Sequence, residues 1–307
     1  MSSPRRNKPL SLVKQAVDRL LGMFCPGRSK HADKKHNNGK PRKDVIYSYS
    51  TLKTYIAVAC TFLRWAKAIY GIRWLEEGLP YVGEYLTQQI AQGLSPYTIA
   101  RNRSALAKLY QVSSRSLLAK LPPCTRASVK RYDTVTTEQL EAFACGHPEI
   151  YIVACGTGAR VHELRLTRPE HYTFWAGRGW VHIKGKGGRH RKAEILPEYV
   201  ERVREIVDRA RAEGREKLFS SIPQSAPIHF LRHGYAQKLY GRYARDVAQL
   251  TKTEMYVCRA DMAGVVLDKI AMKQVTRSLG HNRLGVVTRY IKPLPLLYDG
   301  QMHVLAA

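Results

Sequence analysis

Acidic residues are scarce in this sequence. Asp and Glu number 24 against 51 Lys and Arg, which leaves a formal net charge of +27 over 307 residues. A globular protein this basic repels itself unless it meets a polyanion. Nucleic acid is the natural one, because neutralising phosphates releases condensed counterions. An anionic membrane or a ribosome is the rival that charge alone leaves open. Cysteines are few and poorly spaced for metal: Cys25, Cys60, Cys124, Cys145, Cys155 and Cys258 include no CxxC pair, so zinc knuckles are not expected. Cys60, Cys145 and Cys155 sit in apolar helical runs and read as small core residues. A disulfide framework does not suit a chain of this length without a secretion signal. Long apolar runs are also missing. The best stretch, Leu10 to Phe24, is interrupted by Lys14, Gln15, Asp18 and Arg19, which argues against a signal core or a membrane span. The expected location is the cytoplasm, on the nucleoid, with no membrane partner. No carboxylate cluster resembles a two-metal nuclease site, so neither a catalytic metal nor another cofactor is expected. There is no internal repeat.

What is present points to two domains, and an apolar fraction of 44% is enough to give each a core. Residues 1–43 read as a basic amino-terminal arm broken by Pro and Gly. Within it Leu12, Val13, Val17, Leu20, Leu21 and Phe24 mark one face of a helix, either docked or transient. Residues 44–122 read as a helical domain. Apolar positions from Leu52 to Tyr70 keep a helical period, Pro80 to Gln92 gives a second helix, and Ser95, Pro96 and Thr98 open a third. Arg101, Arg103 and Lys108 form a basic stripe on that third helix, and Lys53 adds a cation on the first. They are candidate DNA contacts, although a solvated face would look the same. Residues 123–134, with Arg126, Lys130 and Arg131, read as a linker that touches phosphate. Residues 135–307 read as a second domain with a tail. Thr136 or Thr137 caps its first helix, and an apolar run from Ile150 to Cys155 leads into Gly156-Thr157-Gly158. Strands are expected at His171–Phe174, Trp180–Ile183 and Ala193–Leu196, then helix from Glu198 to Ala212 and onward to about Lys292. The fold class is therefore mainly α with a small antiparallel sheet.

Four local patterns in this domain carry chemistry. Thr157-Gly158-Ala159-Arg160-Val161-His162-Glu163-Leu164 opens a helix. Gly185-Lys186-Gly187-Gly188-Arg189 lies between two strands. His229-Phe230-Leu231-Arg232-His233 follows. Leu279-Gly280-His281 comes last, with Tyr290 nine residues on. Each alone is weak, since Gly-Lys-Gly is common turn chemistry. Together and in this order they resemble the Arg, Lys, His-x-x-Arg, His and Tyr set of the tyrosine recombinases, the phage-type integrases. The resemblance spans residues 135–292, and more loosely 44–122, which is similar to that family's core-binding domain.

The resemblance implies a site-specific DNA recombinase or integrase, with a mobile element as its natural setting, that cleaves and rejoins strands through a 3′-phosphotyrosine. The runner-up is a type IB topoisomerase acting on one duplex. Arg160 and Arg232 would clamp the phosphate, since a guanidinium fork binds two oxygens and stays charged. Tyr290 would attack, with His229 as the base that takes its proton and His281 donating to a non-bridging oxygen. Glu163, three residues after Arg160, would orient the fork. The family implies that Lys186 protonates the leaving 5′-oxygen. Lys184 is the alternative: strand alternation puts both on one face, and the Gly-Lys-Gly tip favours Lys186. Arg189 and Arg191 are candidate phosphate contacts. His233 is read as a helical packing residue. Tyr298, the rival nucleophile, is flanked by Pro. The implied partners are duplex attachment sites, a homotetramer on DNA, and accessory DNA-bending or directionality proteins. Two departures stand out. The Arg232 to His281 interval is long, with its surplus within 241–267 read as a helical hairpin or a DNA-contacting insertion. Gly234-Tyr235 replaces the family's usual small hydroxyl residue and Phe. The segment after Tyr290, from Pro293 to Tyr298, is a candidate tail for docking on a neighbouring subunit.

Overall fold

The computed structural model describes residues 10–40, 42–117, 120–124, 135–185, 188–259 and 262–291. The chain divides into two units, Met1–Tyr132 and Asp133–Ala307. The division falls within the segment read as a linker, of which residues 125–134, including Arg131, lie outside the described residues.

The first unit is helical: α1 (Leu12–Gly22), α2 (Lys30–His36), α3 (Tyr49–Tyr70), α4 (Val82–Ala91), α5 (Pro96–Leu109) and α6 (Ser114–Leu117). Serine starts the three principal helices. Ser11, Ser48 and Ser95 each accept a hydrogen bond from the backbone N–H three residues on, supplying one orphan donor of the first turn with an acceptor. The left-handed Gly71 ends α3 at φ 66°. Phe62 is fully buried at the centre, with the rings of Trp65, Tyr85 and Tyr110 at 5.2 to 6.3 Å from it. Gly78 leaves room for that cluster, since a Cβ there would lie 2.5 Å from the Tyr110 hydroxyl.

The 1–43 segment is not a separate arm where it is described. Leu12, Ala16 and Leu20 of α1 are buried in the same core as α3. Gln15 accepts from Leu75 N–H at 3.0 Å and donates to Arg73 O at 3.2 Å. The chain then returns beside its own start, with Cys25 N–H donating to Ile46 O and Ile46 N–H to Met23 O. The amphipathic face of α1 thus has its partner within the unit.

The second unit contains α7 (Thr137–Gly146), α8 (Pro148–Thr157), α9 (Val161–Leu164), β1 (Tyr172–Trp175), β2 (Arg178–Lys184), β3 (His190–Glu194), α10 (Val200–Ala212), α11 (Ile228–Tyr243), β4 (Met255–Val257), β5 (Val266–Asp268), α12 (Lys269–Leu279) and α13 (Thr288–Ile291). Thr136 caps α7 in a reciprocal box with Gln139. Strands β1, β2 and β3 form an antiparallel meander, with Tyr172 opposite Val181 and Val181 opposite Ala193. Gly179, Val181 and Ile183 of β2 face the core, while Arg178, Trp180, His182 and Lys184 take the other face. The third strand begins and ends earlier than its apolar residues suggest, because pairing with β2 recruits His190 to Lys192.

The described residues between 213 and 291 are not helical throughout, although helix was expected to about Lys292. Strands β4 and β5 pair antiparallel, with Met255 opposite Asp268, so the 241–267 surplus holds a β-hairpin rather than a helical one. Its strands are three residues long, too short for a period of two to show in sequence. Asp268 anchors the hairpin. It takes the Arg245 fork at 2.8 and 3.1 Å and caps α12 by accepting from Ile270 N–H at 2.7 Å.

Candidate active site

Helix ends deliver the charged residues. Helix α8 is buried all round and stops at Gly158, φ 58°. A Cβ there would lie 2.3 Å from the Tyr235 ring, so both the turn and the close approach require glycine. The chain then extends through Arg160 into α9. Arg160 N–H donates to Glu163 Oε2 at 2.7 Å, and its Nη1 donates to Oε1 at 2.9 Å. From β3, Arg191 donates to the same two oxygens at 2.7 Å each, and its Nε donates to Ser278 O at 2.8 Å. The Glu163 side chain is fully buried, and its acceptor positions are filled by two guanidinium groups and a backbone N–H. Burial alone would raise its pKa. The hydrogen bonds and charge of Arg191, then Arg160, outweigh that and hold the carboxyl at about 2.

Arg232, on α11, is 1% exposed. Its Nη1 donates to Gly158 O, and its Nη2 donates to Leu279 O at 2.7 Å. These carbonyls lie at the carboxy-terminal ends of α8 and α12, so one buried cation closes two helix termini where each dipole is negative. Burial, and after it the charge of Arg160, lower the Arg232 pKa to about 10, which still leaves it charged at neutral pH. Its Nε has no hydrogen-bond partner among the described residues.

Tyr290, on α13, projects over this cation. The Arg232 guanidinium carbon lies 5.5 Å from the ring centroid, within cation–π range. Three imidazoles surround the phenol, with ring centroids at 4.7 Å for His233, 5.2 Å for His281 and 5.8 Å for His229. Burial and the positive charges of Arg232, Arg160 and Arg191 push the His281 pKa down to about 4, so its ring is neutral at neutral pH. Its Nε2 lies 3.5 Å from Arg232 Nη2. Arginine only donates, so this contact favours the tautomer with the proton on Nδ1. The assembly is a phenol over one buried guanidinium, with the charge of Arg160 and a neutral imidazole near that cation, which is a setting that favours an anion.

The structure thus brings together Arg160, Glu163, His229, Arg232, His281 and Tyr290 in one chain. Lys186 lies outside the described residues; Lys184, at the end of β2, is exposed, as is Arg189. Arg191 departs from its expected role. It is 8% exposed with Nε, Nη1 and Nη2 all bonded inward, so it does not present a free fork to a DNA backbone. Lys108 departs likewise. Its ammonium donates to Arg42 O, Lys43 O and Val45 O at 2.7 to 3.2 Å, pinning the return segment, and burial lowers its pKa. Lys53 and Arg101 are exposed, with the Arg101 guanidinium bonded to Asn102, while Arg103 is half-buried on α5. His233, read as a packing residue, is the imidazole nearest to the Tyr290 ring. The signal was its i,i+4 spacing from His229, which puts both on one face of α11. Among the described residues no cluster of three or more His, Cys, Asp or Glu could hold a metal ion, and no helix is long and apolar enough to cross a membrane.

No family model and no curated protein matches this chain. Solved structures do. XerH site-specific recombinase bound to a palindromic difH substrate, in a post-cleavage complex, superposes with a TM-score of 0.52 at 16% identity, over 96% of this chain and 95% of that one. The fold is that of a site-specific recombinase. The pre-cleavage XerH–difH complex gives a TM-score of 0.51 at 17% identity, over 95% and 94%. Both are likenesses of fold, and each covers nearly all of this chain.

Proposed function

We propose that this protein is a tyrosine-type site-specific DNA recombinase or integrase. The observation that carries the reading is the Tyr290 ring lying 5.5 Å from the buried Arg232 guanidinium, in a site that also holds Arg160, His229 and His281. A phosphodiester bound there meets two guanidiniums, one fixed by helix ends and one by Glu163. In phosphoryl transfer one such arginine is worth roughly 10³ to 10⁵ in rate. The Tyr290 oxygen attacks phosphorus, its proton passing to an imidazole, with His229 as the candidate base. The P–O5′ bond breaks, and the 5′-oxygen takes a proton from Lys186 or Lys184. The product is a 3′-phosphotyrosine and a free 5′-hydroxyl. Attack by a partner strand's 5′-hydroxyl reverses the chemistry and rejoins the DNA. The ester conserves the bond energy, so no nucleotide triphosphate is consumed.

The net charge of +27 supports duplex DNA as the partner. Four protomers on two duplexes, accessory DNA-bending or directionality proteins, and a place on the nucleoid complete the reading. The test uses suicide duplexes, nicked near each candidate crossover and tiled across the DNA flanking the protein's own gene. The wild type is expected to form a detergent-resistant adduct through Tyr290 to a 3′-phosphate. Tyr290→Phe should bind the same duplex and form none. An adduct that persists in Tyr290→Phe, or a wild type that forms none on any tile, overturns the proposal. Exchange between two labelled duplexes separates recombination from topoisomerase-like relaxation of one.

A further inference from the structure

Arg191 is the one guanidinium of the Glu163 node that the proposed chemistry leaves without a task. Its fork closes on Glu163 at 2.7 Å twice, and its Nε holds Ser278 O at 2.8 Å. It also lies under the turn that carries His281. A Cβ on Gly280, φ 67°, would be 2.8 Å from Arg191 Cδ, and one on Gly185, just after β2, 3.3 Å from its Nη1. One side chain therefore lies against Gly185, Gly280 and the Glu163 carboxylate that holds Arg160.

We propose that Arg191 is a positioning residue for strand cleavage, offsetting the Glu163 charge so that Arg160 keeps its own for the phosphate. The idea rests on the reading of the site given above. Glu163 must be ionised to hold Arg160, yet a lone carboxylate there would cancel the charge it positions. With Arg191 present, Arg160, Arg191 and Arg232 face one carboxylate and a neutral His281, which leaves two positive charges in excess. The phosphodiester enters with one negative charge and acquires a second as the fifth oxygen bonds. Without Arg191 the excess falls to one, and Glu163 turns its freed lone pairs on Arg160 and on the incoming phosphate. Arg160 keeps 30% exposure and can reach an anion, whereas Arg191 at 8% acts from behind it.

The test compares Arg191→Met, Arg191→Lys, Glu163→Gln and the Arg191→Met/Glu163→Gln double variant. Single-turnover adduct formation is measured on the suicide duplex well below each melting temperature, beside the Kd for the same DNA. Arg191→Met should lower the adduct rate by roughly 10²–10³ while Kd changes less than about threefold, since preorganised charge acts on the transition state. The double variant should regain at least about tenfold of that loss, because removing the carboxylate charge removes what Arg191 offsets. Arg191→Lys, which keeps the charge but not the fork, should stay within about tenfold of wild type. If Arg191→Met does not fold, the double variant, with a neutral pair in place of the ion pair, and the lysine variant carry the test by comparison with Glu163→Gln. Overturning results are an Arg191→Met rate within about threefold of wild type, a double variant no faster than the single one, or a Kd loss that accounts for the rate loss. Absence of an adduct in the wild type would instead defeat the reading of the site itself.

Discussion

The helical unit ending at Tyr132 buries only an uncharged polar pair among its described residues, Asn102 donating to Gln89 at 3.0 Å, whereas the following unit buries Glu163, Arg232 and Asp268. A buried charge costs several kcal/mol unless it is paired and hydrogen-bonded. The first unit avoids that cost, and its Lys108 is held by three backbone carbonyls. The second unit accepts the cost at all three, with Arg232 held by helix-end carbonyls and the two carboxylates by arginine forks. Both carboxylates have pKa values of about 2, with different neighbours. Asp268 ties Arg245 and the cap of α12 to the β4–β5 hairpin, and its hydrogen-bond partners Arg245 and Ile270 are not groups assigned to chemistry. Glu163 joins two arginines beside Arg232 and the ring of Tyr290. The lesson is that the same pairing can hold a fold in one place and a charge in another, and that the neighbours decide which.

That contrast can be broken most directly at Asp268. Asp268→Ala removes a helix cap and the acceptors of a guanidinium fork, and should destabilise the protein by about 3 kcal/mol. Urea melts would measure this, with the adduct rate of the folded protein staying within a few-fold of wild type. An equal loss of rate would mean that the two nodes are not separable. Acid sharpens the contrast from the other side. The folded His281 pKa is lowered to about 4, against about 6.5 for an unfolded histidine. The unfolded chain therefore binds more protons between those values, and stability rises with pH across that window. The His281 contribution is fully present above pH 6.5 and is lost as pH falls toward 4. It is expected to be about 1–2 kcal/mol after allowance for solvent screening. Urea melts at pH 7, 5.5 and 4.5 should show the decline, and His281→Asn should flatten it; an unchanged slope would remove His281 from the positively charged site. The smallest effect is expected in the first unit. Lys108→Met should cost about 1 kcal/mol of stability through its lost carbonyl contacts. The salt slope of DNA binding, followed by anisotropy, should stay unchanged, and a slope reduced by about one would return Lys108 to the DNA backbone.

Much of the fold was legible because its signals are local. Ser95 and Pro96 announce the start of α5, the period from Leu52 to Tyr70 gives α3, and Thr136 with Gln139 opens α7. The segment patterns around Arg160, Arg232, His281 and Tyr290 could be picked out for the same reason, since each spans a single turn or helix. What was not legible depends on distant partners. The inward turn of Arg191 needs Glu163 and Ser278, 28 and 87 residues away. The clip made by Lys108 needs carbonyls 63 to 66 residues earlier. The docking of α1 needs α3, and the β4–β5 pairing joins strands too short to show a period. The nearness of His233 to Tyr290 needs α13 to return across α11.

The sequence by itself determined the principal helices with local start signals, the strong positive charge and the set of residue types able to grip and attack a phosphate. Those properties follow from side-chain chemistry and spacings within a few residues. Only the tertiary structure decided which cations face inward and which remain exposed. That choice depends on where carboxylates and helix-end carbonyls from distant segments meet, and a buried guanidinium is tolerated only at such meetings.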